Sequence, residues 1–430
     1  MARFFKSDFF NFEALRLLSF APYGGVEVAE FMQAVGEIED NDPESWYAAW
    51  MKAGEKAEVI ADEAYQASNR VEARRAYLRA ASYQRAAQFM LNGRAPWEDH
   101  RILSASETSI SNYRRAIQFM DEKVFCFDIP YEHGVNLPAY LYIPQASNRL
   151  PGKTPILLNT VGGDATQEEI YFVLPVTAVK MGFAVLTFEG PGQGIVLRRD
   201  KVPMRPDWEV VISCVLDFFV KYVGEHPEHE LDLDRLVLAG SSVGAYLALR
   251  GAADPRVKAC VSTDPFFCMW DLLKGRMPEF LIHTFEAGGF AADDMWEYLV
   301  TVLGWMNFQT KWEFNHLRWM FGVSSASDVF RKMMEYTLAT SDGNQYLRSV
   351  KCPVMVTGAA ASIYAKPEIS TTRIYNTLSH LKQDQKMQWI ATDPAEGGLQ
   401  SKIGAFGILT LRMFAWLDEI FKIDRKPVLK

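Results

Sequence analysis

A chain of 430 residues, 49% apolar and 23% charged, is long and apolar enough for one large α/β domain with one or two smaller units. Its formal charge of −8, with no cluster of Lys and Arg, argues against a nucleic-acid partner. Cys126, Cys214, Cys260, Cys268 and Cys352 are scattered without CxxC spacing and read as reduced thiols. No run of about 18 apolar residues is present to span a membrane, and no signal-peptide stretch opens the chain, so a soluble cytoplasmic protein is expected.

Residues 1–120 predict helices alone. Asp42-Pro43-Glu44 is a helix start, with Asp at the N-cap, Pro in the first position and an acid in the first turn. Trp46, Trp50, Ala53, Ala57, Ile60, Ala61 and Ala64 then recur at helical spacing. A second long helix is expected over 71–91, with Arg74, Arg75, Arg79 and Arg85 on its polar side. From 123 onward the pattern changes. Apolar runs at 124–130 and 137–144 flank His133-Gly134 and predict an antiparallel hairpin. Strand-like segments follow at 155–160, 184–189, 235–239, 258–263, 353–358 and 387–390, with a helix over 210–223. This alternation predicts a mostly parallel sheet with helices on both faces.

The stretch 265–342 has no strand pattern and is rich in aromatics: Trp270, Trp296, Trp305, Trp312 and Trp319. It is too long for a loop and reads as a helical cap over the carboxyl ends of the strands, where open α/β sheets bind ligands. The organisation expected is a helical segment over 1–120, an α/β core over 121–264 and 346–430, and a cap insertion over 265–345.

Gly240-Ser241-Ser242-Val243-Gly244 has the spacing of a nucleophile elbow. The motif is specific only in context, and the context is present: a strand ends at Ala239 and a helix-forming run begins at Val243. Gly240 and Gly244 supply no Cβ where so sharp a turn crowds the backbone. The helix N-terminus behind Ser242 offers free N–H groups to a developing oxyanion.

Several further segments carry a family resemblance. Glu44-Ser45-Trp46, Gly162-Gly163-Asp164, Glu189-Gly190-Pro191-Gly192-Gln193-Gly194, the Ser242 elbow and Glu396-Gly397-Gly398 together resemble one group of α/β-hydrolases. That group contains 2,6-dihydroxypseudooxynicotine hydrolase and the fungal yellowish-green-type polyketide-shortening hydrolases. The resemblance covers nearly the whole chain. It implies an α/β-hydrolase fold, action beside ketone carbonyls in fungal secondary metabolism, no metal or organic cofactor, and a homodimer. It also implies that Gly163 and Val243 supply the oxyanion amides. Asp164 falls near a position where relatives carry an acid facing the substrate; its alternative is a turn-forming cap for the helix beginning near Gln167. Glu168 and Glu169 read as first-turn acids favoured by the helix dipole.

The resemblance also exposes two gaps. A serine needs a base, and the base needs an acid to hold its tautomer. The acid position after the strand at 353–358 is Ala361, and the histidine position is Gln400. The seven histidines are His100, His133, His226, His229, His283, His316 and His380, so none follows 380. His316 and His283 lie in the cap segment, where an aromatic packing role is expected, and His380 reads as a surface or capping residue. Asp264 is a candidate displaced acid. With both partner positions changed, Ala361 reads as divergence of the lineage rather than an engineered loss.

Three functions fit this pattern. The first is non-hydrolytic ring closure of a polyketide or polyketide–amino-acid intermediate, of Knoevenagel, aldol or Dieckmann type, with protons passing through Gln400-bound water, Asp164 or Glu396. The second is a serine hydrolase cleaving a carbon–carbon bond or ester with a relocated base. The third is a ligand-binding protein on an inactive hydrolase scaffold.

Overall fold

The computed structural model describes residues 3–93, 95–274, 276–287, 291–340 and 346–425. Eight strands form one sheet: β1 (Lys123–Pro130), β2 (Asn136–Ile143), β3 (Thr154–Thr160), β4 (Ala184–Phe188), β5 (Leu231–Ser241), β6 (Ala259–Thr263), β7 (Val354–Ala359) and β8 (Lys386–Ala391), in the order β1-β2-β4-β3-β5-β6-β7-β8. The hairpin β1/β2 is antiparallel from Lys123↔Ile143 to Pro130↔Asn136, and β2 joins β4 antiparallel. Every later pairing is parallel. Chain direction across the sheet reverses at β3, which lies between β4 and β5. The crevice beyond the carboxyl ends of β3 and β5 is therefore the switch point at which such sheets bind ligands.

Period-two alternation sorts the strand residues between two cores. On β5, Val237 and Ala239 face the layer that holds the N-terminal helices, while Leu236 and Leu238 face the layer of the Trp208–Glu225 and Val243–Gly251 helices. β2 is buried along almost its whole length because the N-terminal helices cover its outer face. There Tyr113 packs against Tyr140 in a tilted pair, with ring centroids 5.3 Å apart, and its hydroxyl meets that of Tyr142 at 2.6 Å.

The N-terminal helices follow their sequence signals. Asp42 caps the Pro43–Gln66 helix, accepting from the backbone N–H of Glu44 and Ser45 at 3.1 Å each. The Arg70–Phe89 helix departs from expectation on one point. Arg79 and Arg85, expected on its polar side, are buried, because this helix is enclosed by its neighbours almost all round. Arg79 pairs with Glu30, and Arg85 reaches the sheet's ligand-binding edge.

Between β6 and β7, the described residues of the inserted segment include the α-helices Trp270–Lys274, Glu279–Ala287, Ala291–Met306, Phe308–Phe321 and Ala326–Glu335. Phe330 is its hub, with Trp270, Phe285 and Trp296 centred 5.1–5.5 Å away. Trp305, by contrast, is 78% exposed, so the aromatic density of this segment is not all core. Trp312 ties it to the N-terminal helices: the indole stacks on Phe89 at 4.6 Å and its N–H donates to the Phe89 carbonyl at 2.6 Å. Removing a buried aromatic of this size from a packed junction costs about 3–5 kcal/mol. Trp312→Ala is expected to lose stability in that range, measured by urea unfolding, with little change in the far-ultraviolet spectrum of the folded state.

Candidate active site

The elbow is built by close backbone approach. A Cβ on Gly240 would lie 2.1 Å from the Gly244 carbonyl oxygen, and one on Gly244 would lie 2.7 Å from that of Thr160. Only glycine fits at either point. Ser242 itself sits at φ 55°, ψ −118°, a conformation costly for an L-residue and characteristic of functional turns. The turn is held by Ser242 N–H donating to Thr263 O at 2.9 Å and by the helix that starts at Val243.

Facing it is the turn after β3. A Cβ on Gly162 would lie 3.5 Å from Ser241 O and 3.9 Å from Gly244 N, so the Gly162-Gly163 turn lies against the elbow. The Glu189–Gly194 motif explains its rigidity. Gln193 donates to Val161 O, just before the turn, while its amide oxygen accepts from Gly190 N–H at 2.8 Å. Glu189 accepts from Gln167 N–H at 3.0 Å and Ile195 N–H at 2.7 Å, fixing the helix that leaves the turn. Thr166, not Asp164, caps that Gln167–Val173 helix.

His316 closes the turn from above. Its Nε2 meets Gly163 O at 3.1 Å, and its Nδ1 meets the side-chain amide nitrogen of Asn92 at 3.0 Å. A carbonyl only accepts and an amide NH₂ only donates, so the ring is the neutral Nε2–H tautomer. Burial lowers its pKa to about 4, which agrees. Both nitrogens are engaged, the ring stacks on Trp312 at 5.0 Å, and His316 is no free base.

Beneath the turn lies an ionic cluster that sequence reading did not assign. Arg16, from the Asp8–Leu18 helix, meets Asp164 at 2.9 Å, Glu169 at 2.6 Å and Glu13 at 3.3 Å. Arg85 adds contacts to Glu169 at 2.7 Å and to the Asp164 carbonyl at 3.0 Å. Burial alone would raise the Asp164 carboxyl, but Arg16 and Arg85 bring it down to about 2. Burial dominates at Glu13 and pushes it up to about 7. Glu168 and Glu169 occupy the first turn of their helix, yet both are buried. Glu169 is paired with arginines, and Glu168 accepts from Tyr140 OH at 3.0 Å while burial and Glu189 raise its pKa.

Ala361 and Gln400 stand where the sequence resemblance expects an acid and a histidine. Ala361 is exposed and its N–H donates to Gly398 O at 2.9 Å. Gln400 is buried at the cavity wall, accepting from Ser362 Oγ at 2.7 Å and donating to Asp264 O at 3.1 Å. Gln400 and Ser362 thus form an uncharged hydrogen-bonded couple. Asp264 is matched by a lysine rather than a histidine: Lys402 Nζ lies 2.8 Å from Oδ1 and 2.7 Å from Gly358 O. His380 is spent on Val350 O, His283 is exposed, and Glu396 is exposed and off the cavity wall. Among the described residues, no imidazole is available to Ser242. One cavity is lined by Ser242, Val243, Gly163, Asp164 and Gln400, and also by Glu13 and Arg16.

Two buried groups give opposed pH dependences. The folded-state pKa of His316 is depressed, so its contribution is present above about 6.5 and is lost as pH falls toward about 4. That of Glu13 is raised, so its contribution is present below 4.5 and is lost as pH rises through about 7. Each is worth about 3 kcal/mol. Glu13→Gln removes only the second. Urea unfolding at pH 4.5 and above pH 7 is expected to show the variant gaining about 3 kcal/mol on the parent protein between the two conditions.

A family model described as the alpha/beta hydrolase family matches residues 162–375. The chain is 53% identical to the alpha/beta hydrolase psoB of Aspergillus fumigatus, over 99% of this chain and 96% of that one. It is 44% identical to the 20-hydroxy-prefusarin hydrolase FUS2 of Gibberella moniliformis, over 99% of each. In three dimensions it resembles the crystal structure of 2,6-dihydroxy-pseudo-oxynicotine hydrolase, with a TM-score of 0.70 at 19% identity, over 96% of this chain and 99% of that one. With full-length relatives at this identity and the elbow standing at the switch point of the sheet, the chain belongs to the α/β-hydrolase family.

Proposed function

We propose that this protein closes a ring by forming a carbon–carbon bond in a polyketide or polyketide–amino-acid intermediate, without an acyl-enzyme. The observation that carries the reading is the intact elbow beside an uncharged Gln400–Ser362 couple. A serine with no group to accept its proton is a weak nucleophile, but its hydroxyl still donates a hydrogen bond. In this reading Ser242 Oγ–H and the N–H groups of Gly163 and Val243 polarise a carbonyl and hold the alkoxide or enolate that develops on it. Gln400 orients the substrate through the cavity wall, and Asp164 acts as the fixed anion that keeps Arg16 in place. Holding both reacting carbons of one flexible molecule in an apolar cavity supplies the rest of the acceleration. A relative named for 20-hydroxy-prefusarin supports an elaborate small-molecule substrate.

Removing one oxyanion donor costs about 10²–10³ in rate. Ser242→Ala is expected to lose ring closure by about that factor while still binding substrate. A fluorophosphonate probe is expected to label Ser242 far more slowly than it labels a serine hydrolase with an intact triad. Rapid labelling would instead establish the hydrolytic reading, and tight binding with no conversion would establish a binding protein.

A further inference from the structure

Ring closure of this type needs a group that removes a proton from carbon, and none of the triad positions supplies one. We propose that Glu13, on the Asp8–Leu18 helix outside the hydrolase core, is the catalytic proton shuttle of the cavity. The inference rests on the ring-closing reading above. Glu13 lines the same cavity as Ser242 and Gly163, yet it is only 3% exposed. One carboxyl oxygen, Oε2, is held by Arg16 at 3.3 Å, while Oε1 is buried without any hydrogen-bond partner. Leaving such an oxygen unpaired is costly, and a buried acceptor at a cavity wall is satisfied when a ligand hydrogen reaches it.

The other cavity carboxylates are committed. Both oxygens of Glu169 are held by arginines, Asp164 is paired with Arg16, and Glu313 is bound by Arg276 and Gln309; Asp264 also leaves one oxygen, Oδ2, without a partner, but its Oδ1 is ion-paired with buried Lys402 and accepts from Thr357 Oγ1. Besides burial, the groups that set the charge state of Glu13 are Arg16 on its own helix, Asp164 on the oxyanion turn, Arg85 on the Arg70–Phe89 helix and Glu169 on the Gln167–Val173 helix, while Glu13 in turn helps to raise the pKa of Tyr364 after β7. Burial places its titration near neutrality, where a shuttle works best in both directions.

The step balances within the substrate. The carboxylate takes a proton from the carbon between two carbonyls. The electron pair left on that carbon forms the new bond to the aldehyde or ketone carbon, whose C=O π pair moves to oxygen. Glu13 returns its proton to that alkoxide, and the product is a cyclic isomer of the substrate.

The test uses the full chain and a synthetic β-ketoamide carrying an aldehyde on a flexible apolar tail, with ring closure followed by mass and ultraviolet spectra. Glu13→Gln is expected to lower kcat about 100-fold or more, with KM unchanged. The rise of kcat through an apparent pKa near 7 is expected to vanish in this variant. Glu13→Asp is expected to restore part of the rate and a displaced pH profile, which a packing role would not do. If the parent protein closes the ring and Glu13→Gln does so at a similar rate with the same pH profile, the shuttle is overturned and ring closure stands. If the parent protein leaves the probe unchanged while binding it, ring closure fails and the shuttle fails with it.

Discussion

The guanidinium of Arg16 is where the N-terminal helices and the α/β core become one object. It contacts three carboxylates from two parts of the fold: Glu13 on its own helix, and Asp164 and Glu169 around the turn that follows β3. A buried cation of this kind is tolerable only when fully paired, because an isolated charge in such surroundings costs several kcal/mol. The arrangement therefore fixes the position of the helix relative to the turn. With it come the floor of the cavity, the charge of Asp164 and the proton affinity of Glu13.

Much of the scaffold was legible in the sequence because local chemistry dictates it. Asp42-Pro43 could only begin a helix, the apolar runs around His133-Gly134 could pair only as a hairpin, and Gly240 and Gly244 announced a turn that admits no side chain. The elbow was legible for the same reason, whereas the opposing Gly162-Gly163 turn was legible only through the family resemblance. Glu13, Arg16, Arg85, Ser362 and Lys402 were not legible. Each owes its place to a partner 38 or more positions away in the chain, or, for Glu13, to burial created by such partners. Arg85 misled outright, since its helical position looked like a solvated face until neighbouring helices enclosed it. His316 was assigned an aromatic packing role from its surroundings. The stacking on Trp312 fits that reading, while the bonds to Gly163 O and Asn92 add a contact no spacing rule encodes.

The loops that carry Ser362 and Gln400 are tied together by hydrogen bonds and by one buried ion pair. Gln400 and Ser362 preserve a hydrogen bond between the two loops, and Lys402 ties the second loop to Asp264 at the end of β6 and to Gly358 on β7. These contacts satisfy buried polar atoms that would otherwise be orphaned. They also change the electrical character of that wall. Neither Gln400 nor Ser362 takes up or releases a proton in the accessible range, so this couple contributes hydrogen bonds and no charge to that wall.

The bond from His316 to Gly163 O has a mechanical consequence. His316 belongs to the Phe308–Phe321 helix of the inserted segment, Asn92 to the N-terminal helical unit, and Gly163 to the turn facing Ser242. The position of that helix and the backbone of the turn are therefore coupled through a single ring. One imidazole thus pins three separate stretches of chain, so the inserted segment and the turn facing Ser242 cannot be repositioned independently.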